Sequence, residues 1–143
     1  MTSEEQKATT RRWLVGVWDQ GNFGLIDELA LADRYVYQVP GQHALQGQSF
    51  KDFVSTVRAA FPDLRNTIEN QIAEGDVVVT RGTTRGTHRG PFAGIAPTGK
   101  NVEVPWVIFT SFQGNRIVSD WELYDALGMM TQLGTASTSA QTS

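Results

Sequence analysis

The sequence predicts an α+β domain in which helices come first and a curved antiparallel sheet wraps around them. From Ser49 onwards, apolar side chains recur at helical spacing until Pro62 ends the pattern. Beyond Pro62 the chain becomes rich in β-branched and aromatic residues, in segments separated by turn-forming residues. We expect one helix over residues 49–61 and four antiparallel strands over residues 64–74, 77–87, 102–112 and 116–124.

The N-terminal part predicts two further helices and a short extended segment. Ser3 and Gln6 match a capping box, and apolar residues then recur at helical spacing until Gly21. Residues 23–31 predict a short second helix. The segment RYVYQVPG, residues 34–41, predicts a strand or an extended arm that ends at a proline and a glycine.

The length of 143 residues suits one domain with a substantial core. The last ten residues, GTASTSAQTS, have no large apolar side chain to bury. We therefore expect a single domain over residues 1–134 and a disordered tail over residues 135–143.

Composition narrows the class of partner. A net charge of -3 gives no reason to expect nucleic-acid binding, and the absence of cysteine excludes disulfides, thiol nucleophiles and cysteine metal sites. No apolar run is long enough to cross a membrane, and the N-terminus lacks a signal-peptide pattern. We expect a cytoplasmic protein whose partner is a small molecule or another protein.

A segment in the middle of the chain resembles a phosphate-binding loop. GIAPTGKN, residues 94–101, nearly matches the pattern G-x-x-x-x-G-K-[ST]. A phosphate-binding loop must lead into a helix, whereas the residues that follow, VEVPWVIF, predict a strand. The segment is therefore predicted to be a loop between strands.

The histidines do not predict a metal site. The chain has two, His43 and His88, without the spacing of a metal-ligand cluster. His88 lies in GTHRGPF between two predicted strands, where it is either a donor at the mouth of a pocket or an ordinary loop side chain.

Two acids, Glu122 in the last predicted strand and Asp125 just after it, stand among large apolar residues. Strand alternation places Glu122 on one face together with Asp120. In the preceding strand, apolar residues occur on both faces. This pattern predicts that the strand is covered by helix on one side and by a closed cavity on the other. Glu122 would then point into an apolar cavity, where desolvation favours its protonated form; the alternative is a structural acid on a solvated face. Val118 and Tyr124 share the face of Glu122, and Ile117, Ser119, Trp121 and Leu123 occupy the opposite face.

Several short motifs occur together in the second half of the chain. F-P-D-L follows the third predicted helix, E-G-D-V-V lies at a predicted hairpin, and G-T-H-R-G and P-T-G follow. G-N-R-I then precedes the last strand, and Q-L-G closes the ordered part. In this combination the chain resembles the SnoaL-like polyketide cyclase family of the nuclear transport factor 2 superfamily.

The resemblance implies a cone-shaped α+β fold with a deep apolar pocket. It also implies a reaction without cofactor or metal, the intramolecular aldol closure of an aromatic polyketide ester. In such cyclases a carboxylate late in the last strand is the acid/base, a role that falls on Glu122, with Asp125 as the competing assignment. Asp125 or Asp120 would tune the acid, and His88 is a further candidate catalytic group.

The substrate would be a hydrophobic, planar aromatic molecule. A homodimer that pairs through the open face of the sheet is expected from the resemblance. Two alternatives stay open: a cofactor-independent hydroxylase or isomerase of a polycyclic substrate, and a non-catalytic module that uses the same cone for ligand binding or dimerisation. The candidate substrate-binding residues are Trp106, Tyr37, Phe53, Phe61, Ile108, Trp121 and Asp120.

Overall fold

The computed structural model describes residues 1–135, which form helices packed on one mixed sheet. The strands lie in the order β1-β5-β4-β3-β2, with β1 parallel to β5 and the other neighbours antiparallel. The α+β class and the four antiparallel strands predicted from the sequence are confirmed. The strands are β1 Val36–Gln38, β2 Arg65–Glu74, β3 Val77–Thr87, β4 Asn101–Gln113 and β5 Arg116–Tyr124, and the helices are α1 Ser3–Leu14, α2 Gly24–Leu29, α3 Gly47–Ala60 and α4 Ala126–Leu133.

The cap of the first helix lies one residue earlier than predicted. Thr2, not Ser3, is the N-cap: its hydroxyl accepts from the Glu5 amide, and the Glu5 carboxylate accepts from the Thr2 amide at 2.7 Å. Gln6 instead donates to the Gly75 carbonyl in the β2–β3 turn. The predicted capping box is thus wrong by one residue, because Ser3 already lies within the helix.

The predicted first helix also changes geometry before its end. Residues Val15–Asp19 form a π-helical turn that continues α1. Such wide turns displace the side chains that follow, and they are frequent at functional sites. Here the turn leaves Trp18 and Asp19 facing the centre of the molecule.

The core lies between one face of the sheet and the helices. Burial along β4 alternates strictly, so every second side chain points inward, as a strand with one buried face requires. Trp13 and Val17 pack there with Phe50 and Val54 of α3, all of them buried, against Ile108. We call this side of the sheet the inner face.

The outer face of the sheet is open to solvent, which contradicts the expectation that β4 is covered on both sides. Phe109 of β4 is 40% exposed and Trp121 of β5 is 41% exposed. The two rings meet edge to face with centroids 5.5 Å apart. Helix and cavity therefore share the inner face, and the outward apolar residues contact one another.

A bulge changes which side chains of β5 face inward. The β4–β5 register shifts between Ser111 and Phe112, so that Ser111 pairs with Ser119 but Phe112 pairs with Ile117. Ile117 is consequently buried, although strict alternation places it on the face of Trp121. Beyond the bulge the alternation holds, and Asp120 and Glu122 point inward.

The C-terminal helix α4 ends at Leu133 and is capped by Gly134, which takes the left-handed backbone conformation with φ of 84°. The predicted tail lies outside the described residues from Ala136 onwards. Within residues 1–135, the helices are too short or too polar to cross a bilayer.

Candidate active site

A deep apolar cavity lies between the inner face of the sheet and the helices. The space between its lining atoms, mouth included, is about 800 Å³. This figure includes open solvent at the mouth, and the part that the centre of a water-sized sphere can enter is about 100 Å³. Its walls are Leu14, Trp18, Tyr37, Phe53, Val57, Phe61, Leu64, Asn66, Thr84, Phe92, Val102, Val104, Trp106, Ile108, Glu122, Tyr124 and Met129.

Glu122 is the acid in this wall, and Tyr37 holds it. The Tyr37 hydroxyl donates to Glu122 Oε1 at 2.6 Å. The contact joins two neighbouring parallel strands, since Tyr37 of β1 is in register with Asp120 of β5. One carboxylate oxygen is thus fixed by the protein, which orients the other, Oε2, within the cavity wall.

The apolar cavity changes the acidity of Glu122. The pKa of Glu122 is raised from 4.5 to about 7: desolvation is the main cause, the hydrogen bond from Tyr37 opposes it, and the nearby charge of Asp120 adds to it. A carboxyl group with a pKa close to neutrality can both take up and release a proton at neutral pH. The arrangement is therefore suited to proton transfer.

Asp120 lies deeper, behind Glu122, in a network of donors. Trp13 Nε1 donates to Oδ2 at 2.9 Å and the Tyr35 hydroxyl donates to the same oxygen at 2.6 Å, while Thr110 donates to Oδ1. The carboxyl group is only 1% exposed, and burial raises its pKa. Asp120 does not line the cavity, so it can act on a ligand only through Glu122.

The structure brings most of the predicted wall residues together. Tyr37, Phe53, Phe61, Trp106 and Ile108 all line the cavity. Trp121 does not line it: its side chain projects from the outer face, because it directly precedes Glu122 on the strand and successive side chains alternate.

Asp125 lies outside the cavity. Its carboxylate caps α4, where Oδ1 accepts from the Gly128 amide at 2.9 Å, and the residue is exposed. Asp125 is one residue past the end of β5, so the chain has already turned away from the inner face. Its position gives it a structural role as a cap.

His88 is fully buried behind the cavity wall. Its Nδ1 accepts from the Thr98 amide at 3.2 Å, and its ring packs against Phe61 with centroids 5.5 Å apart. Its backbone also bonds to the Lys100 carbonyl and the Gly99 amide. The residue therefore fastens the 94–101 loop, and it lies neither at the pocket mouth nor on the surface.

Eleven residues of the cavity wall were not predicted as site residues from the sequence, and four of these eleven carry a polar group. Tyr124 is two positions after Glu122, and this alternation could have identified it. Trp18 lies four residues after Leu14, which also lines the cavity, and this helical spacing could have identified it. Asn66 and Thr84 are polar residues at inward positions of β2 and β3, and only the register of the strands brings them together.

No cluster of three or more His, Cys, Asp or Glu side chains that could hold a metal ion occurs within residues 1–135. The 94–101 loop leads into β4, as its sequence predicted, and not into a helix.

The fold is similar to that of nuclear transport factor 2-like and ketosteroid isomerase-like proteins. A protein with a ketosteroid isomerase-like fold from Catenulispora acidiphila superposes with a TM-score of 0.71 at 22% identity, over 88% of this chain and 92% of that one. AclR from Streptomyces galilaeus, described as a candidate hydroxylase, superposes with a TM-score of 0.83 at 24% identity, over 95% of this chain and all of the other.

Residues 8–133 match the model of the SnoaL-like polyketide cyclase family. A candidate polyketide cyclase from Acidithiobacillus ferrooxidans is 31% identical, with a TM-score of 0.80 over 96% of this chain and 99% of that one. No curated protein sequence matches the chain. The chain belongs to the SnoaL-like polyketide cyclase family.

Proposed function

We propose that the protein is an enzyme of polyketide-type metabolism that closes a ring in an aromatic polyketide ester by an intramolecular aldol reaction, with Glu122 as the acid/base. The observation that carries the proposal is a single carboxyl group in the wall of an apolar cavity, oriented by Tyr37 and with its pKa raised to about 7. The family match and the similarity to a candidate cyclase support it.

In this mechanism the Glu122 carboxylate removes a proton from a carbon atom next to a carbonyl group. The resulting carbanion is delocalised into the conjugated ring system of the substrate, and it attacks a second carbonyl carbon of the same molecule. A carbon–carbon bond forms, and the carbonyl oxygen takes up a proton in exchange for the one removed. The reaction needs no cofactor, because the substrate stabilises its own negative charge.

The cavity contributes orientation. Aromatic side chains from three elements, Trp18, Phe53 and Trp106, face the enclosed space. They can hold a planar ring system next to Glu122, so that the two reacting carbon atoms stay close together.

A second candidate function is hydroxylation of a polycyclic substrate without a cofactor. The structural similarity to AclR, described as a candidate hydroxylase, favours this alternative. The same cavity would then bind the ring system, and Glu122 would again remove the proton that forms its carbanion. Dioxygen would be the oxidant: one of its atoms bonds to the ring carbon, and the other leaves as water with two electrons and two protons from the ring system. The two reactions differ in the mass of the product.

The test is turnover of a panel of aromatic polyketide esters by wild type and Glu122→Gln, followed by mass spectrometry. Glutamine keeps the shape of the side chain but takes up no proton, so turnover should fall about 10²–10⁴-fold while binding survives. Ring closure gives a product of unchanged mass or one that has lost water, and hydroxylation gives a gain of one oxygen with the loss of two hydrogen atoms.

Asp125→Asn is the matched control, since Asp125 caps α4 away from the cavity. It should retain turnover once folding is accounted for. If Glu122→Gln turns over normally and Asp125→Asn is folded but inactive, the acid is Asp125. If both are fully active, the cavity is a binding module and not an active site.

We further propose that the protein forms a homodimer through the outer face of the sheet. The exposed side chains of Phe109, Trp121 and Leu123 form an apolar patch on neighbouring strands. Apolar patches of this kind mark interaction sites in proteins, and pairing would cover the one face of the sheet that the described helices leave open.

A further inference from the structure

The cavity contains a second polar group of residues besides Glu122 and Tyr37. Asn66, Thr84 and Trp106 line the cavity; Thr84 and Trp106 both donate to the side-chain oxygen of Asn66, and Asn66 donates to Asp19 behind it. We call these four residues the Asn66 cluster. It plays no part in the proton transfer proposed above.

The Asn66 cluster lies at the other end of the cavity from the acid. Glu122 pairs with Ile108 of β4, and Thr84 of β3 pairs with Val104 of β4. Ile108 and Val104 are four residues apart, about 13 Å along a strand. Thr84 and Glu122 also lie on opposite sides of β4, so one elongated ligand is needed to reach both.

The direction of every hydrogen bond in the cluster is fixed. The indole of Trp106 can only donate, at 3.2 Å, so the atom it contacts must be the carbonyl oxygen of Asn66. The Asn66 amide nitrogen then faces Asp19, and it donates to Asp19 Oδ1 at 2.6 Å. The Asn66 backbone amide donates to Asp19 Oδ2 at 2.9 Å, which holds the side chain from both ends.

These fixed hydrogen bonds decide whether Thr84 can donate to a ligand or accept from it. Its hydroxyl contacts the Asn66 carbonyl oxygen at 2.5 Å, so its proton is committed to that bond. The lone pairs of Thr84 Oγ1 remain, and the residue is only partly buried in the cavity wall. Toward a ligand, Thr84 can therefore act only as a hydrogen-bond acceptor.

The surrounding chain keeps this arrangement in place. A Cβ atom at Gly82 would lie 2.5 Å from Trp106 Cζ2 and 2.5 Å from the Thr67 carbonyl oxygen. Only glycine at this position leaves room for the indole over β3. Asp19 is presented by the end of the π-helical turn, and Arg58 donates to its backbone carbonyl at 3.3 Å.

From these contacts we infer that Thr84 binds a hydroxyl or phenol group of the substrate at the end of the molecule remote from Glu122. The group on the ligand must be a donor, because Thr84 cannot bind a group that only accepts; in a ligand of polyketide type that donor is an O–H group. The inference rests on the proposed function for the aromatic character of the ligand. It adds that the substrate carries an O–H group away from its reacting carbon atoms.

The test measures binding of two matched probes, 2-hydroxyanthraquinone and 2-methoxyanthraquinone, by quenching of tryptophan fluorescence. The methoxy group can accept a hydrogen bond but cannot donate one. Wild type should bind the hydroxy compound about 2- to 10-fold more tightly, the contribution of one hydrogen bond. Thr84→Val, which keeps the shape without the oxygen, should bring the ratio close to one, and Thr84→Ser should restore it.

Glu122→Gln is measured alongside, since the phenol could instead donate to that carboxylate. If the preference for the hydroxy probe disappears in Glu122→Gln but persists in Thr84→Val, the inference is overturned while the proposed function stands. Equal binding of both probes to wild type also overturns it. If neither probe binds to wild type, both the inference and the aromatic substrate of the proposed function are contradicted.

Discussion

Tyr37 donates a hydrogen bond to Glu122 across the parallel pair of strands β1 and β5, with 2.6 Å between the hydroxyl oxygen and Oε1. Burial and the adjacent carboxyl groups raise the pKa of Tyr37 well above its usual value of 10. The hydroxyl therefore stays protonated over the whole working range of pH. It stabilises the carboxylate form of Glu122 and so opposes the effect of the apolar cavity.

Tyr37→Phe should raise the pKa of Glu122 above about 7, because it removes the interaction that favours the ionised form. The limb of the pH–rate profile that reports the carboxylate should move to higher pH. The direct measurement is a carbon-13 NMR titration of the Glu122 carboxyl group. Tyr124→Phe is the control, because this phenol lines the same cavity and no hydrogen bond from it to Glu122 is present; an equal shift in both variants would contradict the prediction.

Asp120→Asn should have the opposite effect on the same titration. The charge of Asp120 raises the pKa of Glu122, so its removal should lower that pKa. The variant also replaces one oxygen of the buried carboxylate with an NH₂ group, which cannot accept from the three surrounding donors. We therefore expect a loss of about 1–3 kcal/mol in the free energy of unfolding. Urea unfolding measures the loss, and NMR measures the titration; a higher pKa for Glu122 in this variant would show that the two acids do not interact as described.

The stability of the protein should fall as the pH rises from 4.5 to about 7. In this window the unfolded chain has lost the proton of Glu122 while the folded chain retains it, so deprotonation favours unfolding. At about 1.4 kcal/mol for each unit of pKa shift, the effect is at most on the order of 3 kcal/mol.

Glu122→Gln should remove this part of the pH dependence. Urea unfolding of wild type and variant at pH 4.5, 6 and 8 compares the two curves, and Glu74→Gln, at an exposed position in the β2–β3 hairpin, is the matched control. If the difference between wild type and Glu122→Gln is the same at all three pH values, Glu122 does not have the raised pKa.

Trp121→Glu should convert a homodimer to a monomer. The substitution places a charge in the centre of the apolar patch on the outer face, where pairing would bury it. Sedimentation velocity over a range of protein concentrations distinguishes the two states. Since the side chain lies on the opposite face from the cavity, ligand binding should persist; a wild-type protein that is already monomeric would contradict the proposed pairing.

The sequence predicts the fold well because its periodicities are strong and local. The helix over residues 49–61 is α3, and the four predicted strands match β2 to β5 to within a residue or two. Alternation beyond the bulge also directs Glu122 inward. These features depend only on residues that are close in sequence.

What the sequence could not supply depends on long-range contacts. The bonds from Tyr37 to Glu122 and from Asn66 to Asp19 connect residues 85 and 47 positions apart. Each requires the strand register or the π-helical turn, neither of which has a short sequence signature. The open outer face was not predicted for a related reason. Apolar residues on both faces of β4 predict that both faces are buried, but they do not show which element covers each face.

The short strand β1 links the chemistry of the acid to the order in which the chain folds. Its three residues pair in parallel with β5, which follows about 80 residues later, and such long-range parallel contacts form late because a large loop must close first. Before β1 docks, Glu122 lacks one wall of its cavity, which lowers its pKa, and its phenol partner, whose absence raises it; desolvation is the larger effect, so the pKa then lies below its value in the folded chain. We therefore expect Glu122 to take up a proton near neutral pH when β1 docks, and to release it when this edge of the sheet opens.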